Sequence, residues 1–159
     1  MNIFNAHDVI EFAIRVEENG ERFYREEARL IDDPGVKDLF SRLAEDEVDH
    51  RKRFEEMRGA LGDYSPPETY EGEYMAYLRE YIDGKVIFPK ELKEDYLRGR
   101  GDTMSAIALA LQREIDSISY YQEMKCYVPE RQHSLIDKII AEEKTHFKRL
   151  SELKKGMTR

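Results

Sequence analysis

Tryptophan is absent from the chain, and cysteine occurs once, at Cys126. A lone thiol excludes an internal disulfide framework, a Cys-x-x-Cys redox motif and a four-cysteine metal or iron-sulfur site. Cys126 itself reads as a small buried hydrophobe. Long apolar runs are also missing. The longest, Ala106 to Leu111, is far short of a membrane span, and Met1 to Asp8 has neither a basic stretch nor a continuous apolar one. No membrane partner is expected, and the expected compartment is the cytoplasm. Positive charge is in deficit, with 26 Lys and Arg against 34 Asp and Glu and a net charge of −8, which argues against a nucleic-acid partner.

What is present is helical. A length of 159 residues suits one domain, 1–159, and 38% charged against 40% apolar residues fits helices with well solvated outer faces. Helical spacing of apolar residues predicts four helices, at about 6–31, 34–61, 102–127 and 130–155. Asp33 followed by Pro34 reads as an N-cap with proline at the first helical position, and Asp102 reads as an N-cap for the third helix. Val128-Pro129 marks the break before the last helix, and Gly156 its terminator. The Gly62–Pro67 breaker opens a crossover over 62–101. Tyr70, Tyr74, Tyr77 and Tyr81 form an aromatic stripe there, expected to pack over the bundle or into a subunit interface.

Each apolar stripe is interrupted by residues that do not belong in a core. The first carries Glu17 among Ile10, Ala13, Gly20, Tyr24 and Ile31. The second runs Leu39, Leu43, Glu47, His50, Phe54, Met57. The third carries Glu114 among Ile107, Ala110, Ile118 and Tyr121, and the fourth runs Ile136, Ile139, Glu143, His146, Leu150, Leu153. A carboxylate on a buried face is costly unless it is paired or bound to a cation. In Glu47-x-x-His50 and Glu143-x-x-His146 the two side chains are about 60° from eclipsed and about 4.5 Å apart along the axis, so one ion can touch both.

The two halves are one hairpin used twice. Glu17 to Glu114 and Tyr24 to Tyr121 are each 97 residues, while Glu47 to Glu143 and His50 to His146 are each 96. The one-residue difference falls in the hairpin loop. Four carboxylates and two imidazoles at one depth of a bundle need cations, and two divalent ions neutralise four glutamates. Carboxylate and imidazole donors suit iron or manganese, with zinc also compatible by ligand type, at two metal ions per chain. Glu18, Asp46, Asp49 and Glu142 fall off the stripes and are expected to be solvated, as are His7 and His133. Gly20 and Ser117, three positions after the first-helix and third-helix glutamates, either permit close helix packing or leave a gap beside the metals for water, O2 or peroxide.

This pattern of one Glu from each of two helices and Glu-x-x-His from each of two others resembles the ferritin-like dimetal carboxylate superfamily. The hairpin wording resembles its rubrerythrin branch: Ala13-Ile14 before Glu17, Phe23-Tyr24 after it, Leu39-Phe40 and Leu43-Ala44 before Glu47, and Glu142-Glu143-Lys144-x-His146. The resemblance covers roughly residues 6 to 61 and 102 to 155. It implies an all-α, ferritin-like four-helix bundle with a long, partly helical crossover. It also implies that Glu17 and Glu114 are terminal ligands, that Glu47 and Glu143 bridge, that His50 and His146 each cap one metal, and that Tyr24 and Tyr121 donate hydrogen bonds beside the site. No catalytic residue apart from the ligands is expected. Two departures stand out. Ser117 occupies a position where rubrerythrins carry a further carboxylate, and the four cysteines of a rubredoxin domain are missing.

The implied activity is reduction of peroxide or O2 by a reduced di-iron or dimanganese site, with electrons from a separate donor protein, in a chain expected to form a homodimer. Ferroxidation with iron storage or delivery is the alternative, although a short fifth helix of the cage-forming kind is not evident. A metal-stabilised interaction module without turnover is a third.

Overall fold

The computed structural model describes residues 6–63 and 102–158. They form four helices: α1 (Ala6–Leu30), α2 (Pro34–Gly59), α3 (Thr103–Met124) and α4 (Glu130–Met157), with a 3-10 turn, Lys125–Tyr127, after α3. No strand occurs among the described residues. The architecture is an all-α four-helix bundle. Most of the expected crossover, including Tyr70, Tyr74, Tyr77 and Tyr81, lies outside the described residues.

Local signals set the helix ends. The Asp33 side chain accepts from Val36 N at 3.0 Å with Pro34 opening α2, and Asp102 accepts from Ser105 N at 2.8 Å. Each bond satisfies one backbone donor that a helix start leaves open. Past α2, Gly62 takes φ +60, a left-handed conformation that ends the run at little cost for glycine. Its carbonyl meets His7 Nε2 at 3.1 Å, tying the end of α2 to the start of α1.

Three sequence expectations are corrected here. The α-helical part of α3 stops at Met124, and the last three residues tighten into the 3-10 turn ahead of Pro129. Gly156 lies inside α4, which runs on to Met157, since a glycine near a helix end permits a stop without forcing one. Cys126 is exposed. Successive side chains in a 3-10 turn diverge by about 120°, so turning Tyr127 inward turns Cys126 out. His7 is exposed as expected, while His133 is half-buried with Nε2 3.2 Å from the Val128 carbonyl.

Short connections make α1–α2 and α3–α4 antiparallel hairpins, and the hairpins pack with α1 against α3 and α2 against α4. Tyr120 Oη donates to Val9 O at 2.7 Å, and Gln132 Nε2 donates to Met57 O at 3.0 Å. Both bonds join the start of one helix to the end of its neighbour, so these pairs are antiparallel too. It follows that α2 ends and α3 begins at opposite ends of the bundle.

The buried apolar residues fall into two clusters. One, at the end holding the start of α1, includes Ile10, Phe54, Tyr121, Met124 and Ile136. The other, at the opposite end, includes Tyr24, Phe40, Leu43, Ile107 and Leu150. A band of charge lies between them. No described helix is long and apolar enough to cross a membrane.

Candidate metal centre

All six stripe residues, Glu17, Glu47, His50, Glu114, Glu143 and His146, are at most 5% exposed. They come together as two overlapping groups. Donor atoms of Glu17, Glu47, His50 and Glu143 lie within 4.8 Å of one another, and so do those of Glu47, Glu114, Glu143 and His146. Glu47 and Glu143 belong to both. The imidazoles stack with ring centres 5.6 Å apart, each Nδ1 facing the carboxylates. His50 Nδ1 is 3.0 Å from Glu143 Oε1 and 3.6 Å from Glu17 Oε2. His146 Nδ1 is 3.1 Å from Glu143 Oε2 and 3.6 Å from Glu114 Oε2.

The outward nitrogens are anchored across the bundle. His50 Nε2 donates to Glu142 Oε2 at 2.9 Å, and His146 Nε2 donates to Asp46 Oδ2 at 3.1 Å. Carboxylates only accept, so the proton is fixed on Nε2 and Nδ1 is left to face the centre. This corrects the expectation that Asp46 and Glu142 are simply solvated. They are about two-fifths exposed yet each holds the histidine of the opposite hairpin, and Arg53 Nη1 braces Glu142 at 2.8 Å. A repeat signal was available, since an acid precedes each shared glutamate in both halves, as Asp46-Glu47 and Glu142-Glu143. Glu18 and Asp49 are exposed.

The tyrosines cross between hairpins in the same way. Tyr24 Oη donates to Glu114 Oε1, and Tyr121 Oη donates to Glu17 Oε1. Burial, and then Glu114 and Glu47, push the Tyr24 phenol well above its ordinary pKa. Burial, Glu17 and Glu143 do the same for Tyr121. Both phenols keep their protons at neutral pH.

The space beside Gly20 is closed. A Cβ placed there would come within 2.8 Å of Arg113 Nη2 and 2.9 Å of Glu47 Cδ, so of the two readings of Gly20 it is close packing that holds, with a guanidinium reaching over from α3. Sequence reading gave Arg113 no role because it falls off the α3 stripe. Ser117, the repeat equivalent of Gly20, is buried, while Ile118 is only partly so.

Without cations the cluster gathers protons. Burial works against charge on His50 and His146, but Glu143 and Glu17 around the first and Glu114 and Glu143 around the second outweigh it, raising the imidazoles to about 11 and about 10. Burial and the neighbouring Glu143 raise Glu114 to about 8, and burial with Glu17 and Glu143 raises Glu47 well above its usual range. Glu143 is pulled the other way: its own burial is overcome by Glu114, His146 and His50. Two inward carboxylate oxygens nevertheless make no hydrogen bond, Glu17 Oε2 and Glu114 Oε2. Buried acceptors normally find a partner, so unpartnered carboxylate oxygens converging on one volume fit a site that holds cations. Three carboxylates and one imidazole per position, with two carboxylates shared, fit a pair of divalent ions.

Comparison with known proteins agrees. No curated protein matches this chain. A crystal structure from Thermotoga maritima, provisionally described as a ferritin-like diiron-carboxylate protein, superposes with a TM-score of 0.63 at 27% identity, covering 98% of this chain and 97% of that one. The sequence model of the rubrerythrin family matches residues 8–154, which takes in nearly all of the four helices and every residue of the cluster. The chain therefore belongs to the rubrerythrin family, within the ferritin-like diiron-carboxylate proteins.

Proposed function

We propose that this chain is a carboxylate-bridged dimetal oxidoreductase, loaded with iron, that reduces peroxide or O2 using electrons from a separate donor protein. The observation carrying this reading is that Glu47 and Glu143 are common to both donor groups. In this reading Glu47 and Glu143 would be shared by two metal ions, Glu17 and His50 would complete one position, and Glu114 and His146 would complete the other. Iron held by these six residues would supply the two electrons that two-electron cleavage of an O–O bond requires.

The protein's own part is positioning and proton control. Asp46 and Glu142 keep each Nδ1 turned inward, so coordination needs no rearrangement of the imidazoles. Tyr24 and Tyr121 hold protons on their hydroxyls beside Glu114 and Glu17, and a carboxylate held by such a donor is fixed in orientation and less basic. The apolar clusters above and below exclude bulk water, which strengthens each of these interactions. With one cysteine, these 159 residues hold no cysteine-ligated electron store, which supports a separate source of reducing equivalents.

The test is anaerobic loading with Fe(II), followed by hydrogen peroxide and then by a reductant. One peroxide consumed per two Fe(II), with turnover sustained by the reductant, is the expected result. Iron oxidation by O2 that releases ferric iron without reductant-driven turnover supports an iron-handling protein instead. Consumption of neither oxidant overturns the redox reading and leaves a metal-stabilised interaction module.

A further inference from the structure

The two carboxylates common to both donor groups, Glu47 and Glu143, are held differently. Glu143 is flanked by imidazoles, with His50 Nδ1 3.0 Å from one oxygen and His146 Nδ1 3.1 Å from the other. Among the described residues no side-chain nitrogen stands at such range from Glu47, so its placement falls to the walls around it. One of those walls is Gly20, on the α1 stripe a turn past Glu17.

The nearest neighbours of a Cβ built on Gly20 would be Arg113 Nη2 at 2.8 Å, Glu47 Cδ at 2.9 Å and Glu47 Oε2 at 3.0 Å. All are side-chain ends, and the last two belong to the shared carboxylate. A glycine kept for close approach of two helices would instead meet the backbone of a neighbour. Gly59 and Gly156, also helical, have nothing within 4 Å of the same point, so the crowding is particular to position 20. The repeat sharpens the contrast. The counterpart of Gly20 is Ser117, which carries a Cβ, and the counterpart of Glu47 is Glu143, which the imidazoles flank. Glycine stands in the half whose shared carboxylate lacks that flanking.

We propose that Gly20 is a positioning residue for the dimetal centre: the absence of a side chain there opens the notch in which the shared Glu47 carboxylate lies. The inference rests on the dimetal reading above. Non-bonded carbon atoms settle at roughly 3.5–4.0 Å, so any side chain at position 20 must displace a neighbour. Arg113 and Glu47 are both flexible and swing aside at little cost to the fold. Glu47, however, swings away from both cation positions at once, because it belongs to both donor groups. Glycine is also the weaker helix former, so its presence inside α1 costs stability that alanine would restore. Ligand placement and helix stability therefore respond to the same substitution in opposite directions.

The test compares wild type, Gly20→Ala, Glu47→Asp and the double variant as full-length, metal-free chains, by Co(II) titration followed by visible absorption and by thermal melting. Gly20→Ala should bind both ions about ten-fold or more weakly, while its metal-free form melts at or above the wild-type temperature. Aspartate is a methylene shorter and draws the carboxylate out of the notch. Adding Gly20→Ala to Glu47→Asp should therefore change affinity by less than about three-fold. A metal-free Gly20→Ala protein that melts well below wild type, or fails to fold, overturns the inference, because the notch then serves packing of the helices. An equal loss of affinity with and without Glu47→Asp overturns it too, as does affinity left unchanged by Gly20→Ala or lowered for one ion only. Any of these results with two ions in wild type defeats this inference alone, whereas fewer than two ions in wild type defeats the dimetal reading together with it.

Discussion

Asp46 and Glu142 reach the centre only through the histidines they hold, and each does so from the opposite hairpin. Replacing either with alanine frees one imidazole to rotate and removes the acceptor that fixes its tautomer. Metal affinity, measured by competition with a chelator, should fall by about 10- to 100-fold while two ions still bind at saturation. Affinity unchanged in both variants would show that helix packing alone orients the rings.

The protons gathered by the metal-free cluster set a pH dependence. His50, raised to about 11, His146, raised to about 10, and Glu114, raised to about 8, all lie above their ordinary values of 6.5, 6.5 and 4.5. The folded metal-free protein thus holds these protons more tightly than the unfolded chain. That contribution is fully present below the unfolded values and is lost as pH rises through the folded ones. Metal binding displaces the same protons and strengthens with pH. The difference in Tm between loaded and metal-free protein should widen from about pH 6 to about pH 9 by calorimetry, and a flat or narrowing difference would contradict the proton-filled cluster.

At the scale of the helices, ordinary signals were legible and side-chain reach was not. Asp33-Pro34 and Asp102 mark helix starts by residue type alone, and both cap as their sequence suggests. Asp33→Ala should cost about 1 kcal/mol in chemical denaturation, since Val36 N loses its acceptor, with metal stoichiometry unchanged. The positions of Glu17 and Glu114 in core stripes were equally plain, because burial of a carboxylate breaks a pattern that apolar neighbours define. Asp46, Glu142 and Arg113 were missed for the converse reason. Each starts off its stripe and enters the site by the length of its side chain, across a neighbouring helix that no local spacing reveals. Cys126 was misplaced because a 3-10 turn, with its different angular step, replaced the last turn of α3.

For the molecule as a whole, the hydrophobic core is split into two clusters with the charged band between them. Metal loading should therefore act as a structural staple across all four helices, each of which contributes at least one of the six residues. A ligand at about a thousand times its Kd stabilises by about 4 kcal/mol per site, so chelation should lower Tm by several degrees or more. The hairpin repeat made this layout readable from sequence, since one half predicts the other. The long connector could not be read that way, because it has no counterpart in the repeat.

The most direct measurement is the metal content of protein purified without chelators, for wild type, Glu47→Ala and Glu143→Ala. Two ions per chain in wild type, with occupancy reduced at both positions in each variant, is expected of glutamates shared by the two donor groups. Full occupancy in both variants, or loss of only one ion from each, would contradict the bridged dimetal centre.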